Sequence, residues 1–208
     1  MPAIRATDDH AKIHEAPSLT EGIDLAYSPR FERAARNVAS GGLIAYPTEG
    51  VYGLGCLPGE RSAVERLLRV KRRSWRKGLI LIAANFEQLE PLVVLPRAGL
   101  RDEILGSWPG PVTWLLESQR GVPAWVGGGR GTLAVRVTDH PLASQLCRRV
   151  GEPLISTSAN RAGRPPLKRP LDVRRELGPE LDDILVGPLG ALDRPTTLRD
   201  GMTGATLR

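Results

Sequence analysis

The sequence predicts an α/β fold built on a mixed sheet. Short apolar runs, such as Leu43-Ile44-Ala45-Tyr46 and Leu79 to Ala83, alternate with stretches of helical period such as Glu60 to Val70. Glycines and prolines punctuate the alternation, as at Gly41-Gly42 and Pro47. With 208 residues, 41% hydrophobic and 25% charged, the chain has a globular composition and the length to bury a substantial core.

Residues 1–27 are polar and mixed in charge, with no sustained apolar period. They read as a loosely ordered extension ahead of one domain over residues 28–208. Phe31, Ala34, Ala35 and Val38 recur at helical spacing between Arg30 and Ser40. Leu43 to Tyr46 then reads as a buried strand ended by Pro47, and Gly53 to Cys56 as a short extended piece. Glu60 to Val70 is amphipathic, with Val64, Leu67, Leu68 and Val70 facing inward. Leu79 to Ala83 is a second buried strand. Asn85 is placed to cap a helix reaching Leu92, and Leu100 to Trp108 is another short helix.

Pro111 to Glu117 and Thr132 to Val137 read as strands, with a flexible loop at Gly127 to Gly131 between them. Asp139 is placed to cap a helix over Pro141 to Val150. Pro153 to Ser156 is a strand leading into a hydroxyl-rich run, and Leu171 to Leu177 is a short helix. Leu181 to Val186, Thr196 to Arg199 and Ala205 to Leu207 are the late strand candidates.

The net charge of +6 favours an anionic partner, nucleotide or RNA. Aromatics make up only 4%, fewer than a surface that stacks single-stranded bases usually carries. Cys56 and Cys147 form neither a disulfide framework nor a metal site, and His10, His14 and His140 are scattered. There is no apolar run of about 18 residues and no basic-then-apolar leader, so a reducing cytoplasm is the expected compartment.

Two segments look like the halves of a polyphosphate site. Arg69, Lys71, Arg72, Arg73, Arg76 and Lys77 cluster without an acid among them. Downstream runs Ser156-Thr157-Ser158-Ala159-Asn160. Clustered cations neutralise phosphate oxygens, and a hydroxyl-rich turn after a strand offers donors. A solvated helix end explains the first segment equally well. No Gly-x4-Gly-Lys-Ser/Thr, Gly-x-Gly-x-x-Gly or Gly-x-Ser-x-Gly pattern occurs. Thr48, Lys71 to Lys77, Arg136, Ser158 and Asn160 lie near predicted strand ends, where open α/β sheets gather ligands. Each also has a local reading: Thr48 bonding a turn, Arg136 pairing a structural carboxylate, Asn160 stopping a turn.

Six ordered segments carry a resemblance. They are Ala45-Tyr46-Pro47-Thr48-Glu49 with Tyr52 to Cys56; Lys71-Arg72-Arg73 with Lys77-Gly78-Leu79; Trp108 to Thr113; Ala134 to Val137 with His140-Pro141-Leu142; Ser156 to Asn160; and Arg194-Pro195-Thr196-Thr197. In these the chain resembles the YrdC/TsaC family of threonylcarbamoyl-AMP synthases, from about Arg30 onward. The resemblance implies a twisted, open sheet with a basic concave face. It implies synthesis of L-threonylcarbamoyl-AMP from L-threonine, bicarbonate and ATP with release of pyrophosphate. The product serves N6-threonylcarbamoyladenosine formation in tRNA, with the threonylcarbamoyl-transferase complex as a further partner.

By the same resemblance, Lys71 and Arg73 are the catalytic cations. They bind ATP together with Ser158, Asn160 and Thr196. Thr48, Lys77, Thr113 and Arg136 hold the threonine and its carbamate. Mg²⁺ bridges the phosphates without protein side-chain ligands. The chain departs from many relatives at Ser74, Lys77 and Ala162, and it lacks the extra C-terminal domain of longer ones. A non-catalytic factor that binds tRNA or double-stranded RNA, or assists ribosome assembly, is the alternative.

Overall fold

Ser28 starts the first helix by accepting a hydrogen bond from the Phe31 N–H at 3.2 Å, and Pro29 fits the first turn because its missing N–H needs no partner there. The computed structural model describes residues 28–97, 99–193 and 196–208. The extension expected over 1–27 lies outside the described residues, as do Arg194 and Pro195.

In chain order the elements are α1 (Pro29–Ala39), β1 (Ile44–Pro47), β2 (Tyr52–Cys56), α2 (Arg61–Lys71), β3 (Ile80–Ala83) and β4 (Val93–Val94). Next come α3 (Leu100–Gly106), β5 (Val112–Ser118), α4 (Ala124–Gly127), β6 (Thr132–Val137) and α5 (Pro141–Val150). β7 (Leu154–Ser158), α6 (Pro170–Leu177), β8 (Asp183–Ile184) and β9 (Thr197–Asp200) complete the domain. The strands form one open mixed sheet in the order β4-β5-β6-β3-β7-β2-β1-β8, with β9 added parallel to the first half of β5.

Two apolar layers cover the sheet. Alternation sends Ile44, Tyr46, Ile82 and Leu154 to one face, where they pack with Phe31 and Val38 of α1 and Leu142 and Leu146 of α5. Ala45, Leu54, Leu81 and Val135 go to the other, against Val64 and Leu67 of α2 and Val173 and Leu177 of α6. Among the described residues no helix is long and apolar enough to cross a membrane.

Several boundaries differ from expectation for identifiable reasons. Pro47 lies inside β1, opposite Tyr52, and does not end it. No helix forms over 85–92. Asn85 Oδ1 does accept from Gln88 N–H at 3.3 Å, but Pro91 has no N–H to continue a helix. Gln88 is drawn away, its side chain accepting from Ala84 N–H and donating to the Cys147 carbonyl, both at 2.9 Å. α5 is capped by His140 and not by Asp139: His140 Nδ1 accepts from Ala143 N–H at 3.4 Å. The glycine run begins within α4, and Ala205 to Leu207 makes only an isolated bridge, Arg199 to Thr206.

Candidate active site

α2 stops where Arg72 turns left-handed, at φ 50° and ψ 47°. Its backbone N–H still donates into the last turn, and Arg73 N–H reaches the Leu68 carbonyl at 2.9 Å. Lys71 and Arg73 flank this sharp exit, and both line the same cavity. Lys71 is only 5% exposed, which corrects the reading of the whole cation cluster as a solvated helix end. Its ammonium donates to the carbonyls of Ser158 and Asn160, the latter at 3.2 Å, and to Asn160 Oδ1 at 2.9 Å. Three N–H groups meet three acceptors. Burial, then repulsion from Arg73, pushes the Lys71 pKa down to about 8.

β7 carries Ser158 at its last position, so most of the hydroxyl run is strand and not a turn beyond it. Ser158 Oγ donates to Asn160 Oδ1 at 2.7 Å. Asn160 Nδ2 donates to the carbonyls of Arg161 and Arg164 at 3.2 and 2.6 Å. Ala162 N–H returns to the Lys71 carbonyl at 2.9 Å. The donors expected to orient a nucleotide are thus used within the loop itself. Ser158 and Asn160 shape this loop and tie it to Lys71.

A cavity of about 660 Å³ opens beside these residues. Its floor continues the α1/α5 face of the sheet past the helices. Ile80, Ser156, Ser158 and Arg136 share that face with Ile82 and Leu154, as the pairings Ile80 with Ser156 and Ile82 with Arg136 require. Gly53 keeps the floor open: a Cβ there would sit 3.1 Å from Thr48 Cγ2 and 3.4 Å from Ser156 Oγ. The expected crevice beyond strand carboxyl ends holds only for β1 and β7. The sheet is mixed, so β2 and β3 enter the cavity from their beginnings.

Eight of the nine candidate residues line the cavity: Thr48, Lys71, Arg73, Lys77, Arg136, Ser158, Asn160 and Thr196. Thr113 does not. It is fully buried on β5, with its hydroxyl 3.4 Å from that of Thr196, so it stands behind the wall. The cation cluster is also divided. Lys71, Arg72, Arg73 and Lys77 face the cavity, whereas Arg69 lines a smaller one beside Arg66 and Arg161, and Arg76 stacks over Trp75 at 5.2 Å.

Arg73 donates to the Gly78 carbonyl at 3.0 Å, and its buried Nε has no partner among the described residues. Burial, then Arg208 and Arg130, hold its pKa below the usual arginine value. Thr48 Oγ1 donates to the Val51 carbonyl at 2.8 Å, leaving its oxygen free to accept from a ligand. Arg136 and Glu49, each 5% exposed, meet with Nη1 3.0 Å from Oε2.

The Sua5/YciO/YrdC family model, described as telomere recombination, matches residues 36–208. The chain belongs to the Sua5/YciO/YrdC family. A protein of Nitrosococcus oceani named threonylcarbamoyl-AMP synthase is 55% identical over 179 residues, covering 86% of this chain and 97% of the relative. One of Coxiella burnetii with the same name is 47% identical over 184 residues, covering 88% and 98%. Pyrococcus abyssi Sua5, solved as a complex with L-threonine, superposes with a TM-score of 0.74 at 33% identity; the match covers 82% of this chain but only 50% of that one. Escherichia coli YciO gives a TM-score of 0.71 at 28% identity, covering 82% of each chain.

Within this family frame, the departures have defined places. Ser74 caps the short 3-10 turn Trp75–Lys77, its hydroxyl accepting from Arg76 N–H at 3.3 Å, while Lys77 and Ala162 remain in the cavity lining. Glu49, Ser156, Lys168, Asp193 and Arg208 also line the cavity and were not singled out as site residues. Glu49 stood in view inside the Pro47-Thr48-Glu49 segment. Arg208 carried no signal, because its place depends on pairing with Leu198, whose N–H donates to the Arg208 carbonyl at 3.0 Å.

Proposed function

We propose that the chain is a threonylcarbamoyl-AMP synthase that joins L-threonine, bicarbonate and ATP, releasing pyrophosphate and water. One observation carries the reading: Lys71 is bonded to Ser158 and Asn160 in the wall of a cation-rich cavity, in a chain 55% identical to a relative of that name. The product would pass to a threonylcarbamoyl-transferase complex for N6-threonylcarbamoyladenosine formation in tRNA, in the cytoplasm.

The chemistry asks for positioning and charge, and no covalent intermediate with the protein is required. The threonine amine is first carboxylated to a carbamate. A carbamate oxygen then attacks the α-phosphorus, and the bond to the β-phosphate oxygen breaks, releasing pyrophosphate. Both reactants are anionic, so the site must offset their repulsion and hold them in line. Among the described residues, seven cationic side chains face the cavity against two carboxylates, Glu49 and Asp193. Lys71 contributes charge at short range while its N–H groups hold the loop. Arg73 has an Nε with no partner among the described residues, and Lys77 and Arg208 add exposed cations. Thr48, Thr196 and Arg136 form the amino-acid end, with Thr113 supporting Thr196. Among the described residues no three His, Cys, Asp or Glu side chains converge to hold a metal. Mg²⁺ would come with the triphosphate and supply charge neutralisation there.

The test is threonine- and bicarbonate-dependent pyrophosphate release from ATP, with the adenylate identified by mass. Tight, steeply salt-dependent RNA binding without turnover would favour the non-catalytic alternative instead.

A further inference from the structure

Glu49 is the carboxylate that the cavity buries most deeply, and its surroundings explain why it is there. A buried guanidinium without a counter-charge is strongly disfavoured. Arg136 has that counter-charge in Glu49 Oε2 at 3.0 Å. Glu49 Oε1 in turn accepts the Thr138 hydroxyl, and Thr138 Oγ1 accepts His140 N–H at 3.2 Å. The Glu49 backbone is held as well: its carbonyl accepts Leu192 N–H at 2.9 Å, and a Cβ at Gly190 would stand 2.7 Å from it. The carboxylate is thus fixed from two sides before any ligand arrives.

The pairing leaves donor capacity unused. Arg136 Nε and Nη1 have no aligned hydrogen-bond partner among the described residues, although Nη1 is in ion-pair contact with Glu49. Those two atoms are shut off from the cavity; what Arg136 presents to the space it lines is the rest of a charge-paired guanidinium, a receptor for a carboxylate. Beside it, the carboxylate of Glu49 repels phosphate and attracts an ammonium. The pair therefore matches a free α-amino acid, whose two charges are opposite and adjacent. It does not match the triphosphate, which belongs with Lys71, Arg73 and Lys77.

We infer that Glu49, held by Thr138, is a positioning residue that orients Arg136 and marks the amino-acid end of the cavity. The inference rests on the proposed synthase reading and adds to it the residue that sets amino-acid affinity. The test compares Glu49→Gln, Glu49→Asp and Thr138→Val with the unaltered chain, by steady-state kinetics and by calorimetric titration with L-threonine. Glu49→Gln keeps the shape and removes the charge. It should raise the threonine KM roughly ten- to a hundred-fold, the scale of one lost charge-assisted contact, and leave the ATP KM within about two-fold. Glu49→Asp should recover part of the loss, and Thr138→Val should move the threonine KM the same way by less.

An unchanged threonine KM in Glu49→Gln overturns the inference, as does an equal rise in both KM values. If Glu49→Gln does not fold, Thr138→Val decides by the same readout. Turnover by the unaltered chain with no effect of these variants sinks this inference alone. No threonine response in the unaltered chain sinks the synthase reading with it.

Discussion

The Lys71 ammonium donates to Asn160 Oδ1 at 2.9 Å and to the Asn160 carbonyl at 3.2 Å. Two segments nearly ninety residues apart in sequence are thereby one structural unit. Lys71→Ala should then unfold more easily as well as lose activity. It strands buried acceptors on Ser158 and Asn160, a loss of roughly 1–3 kcal/mol. Asn160→Ala should cost a similar amount, and the double variant less than the sum, because both remove the same contact. Urea unfolding of the four proteins measures this coupling, and strict additivity would show that the two residues act separately.

Arg73→Ala should behave differently. Arg73 is half-buried; among the described residues it makes a single hydrogen bond, to Gly78, and its Nε has no partner. Its removal should change stability by less than about 1 kcal/mol and lower kcat/KM by roughly 10²- to 10³-fold, the scale of one donor lost from a developing charge. Melting curves and pyrophosphate release separate the two effects.

The pKa of Lys71 sets a pH dependence with opposite signs for stability and rate. Its folded value near 8 lies below the ordinary 10.5. Between those values the unfolded chain binds more protons, so the Lys71 contribution to stability rises with pH. The charged form is the one that neutralises phosphate. The kcat/KM for ATP should therefore fall as pH rises through about 8. Lys71→Arg should move that alkaline limb upward, and an unmoved limb would assign it to another group.

Much of this was legible in the sequence because it depends on local periodicity. The spans of β6 and α5 were read without error, since Thr132 to Val137 and Pro141 to Val150 carry clean patterns between turn signals. The pairing of Lys71 with the Ser158–Asn160 loop was not legible. It depends on how α2 meets the end of β7 in space. Thr113 resembles its family position equally well from sequence, yet one pleat places its hydroxyl behind Thr196. Gln88, Pro91 and His140 overrode simple capping expectations through contacts with distant backbone.

Arg72 is the one described non-glycine residue with positive φ, at 50°. That conformation crowds Cβ against the following carbonyl and costs roughly 1–2 kcal/mol. Arg72→Gly should relieve it and raise the urea midpoint at unchanged slope. It also takes a cation from the cavity wall, so the ATP KM should rise. A stabilised protein with weaker nucleotide binding would identify the left-handed turn as a cost accepted for the site.

Amino-acid choice tests the far end of the cavity. Thr48 Oγ1 already donates to Val51, so toward a substrate hydroxyl it can only accept. Thr196 shares its hydroxyl with Thr113 and can turn toward the ligand. Valine brings a methyl where threonine has its hydroxyl, leaving these oxygens buried and unpaired. Discrimination of roughly 10⁴-fold in kcat/KM is expected from a site built around such a bond. Serine keeps the hydroxyl and lacks only the methyl, so it should lose about 1–3 kcal/mol of transition-state stabilisation. Pyrophosphate release measured with each amino acid gives the ranking threonine, serine, valine. Thr113→Val should widen the gap between threonine and valine, because Thr196 then has neither Thr113 nor a substrate hydroxyl to pair with when valine is bound. Equal adenylation of all three would mean that these threonines do not face the substrate side chain.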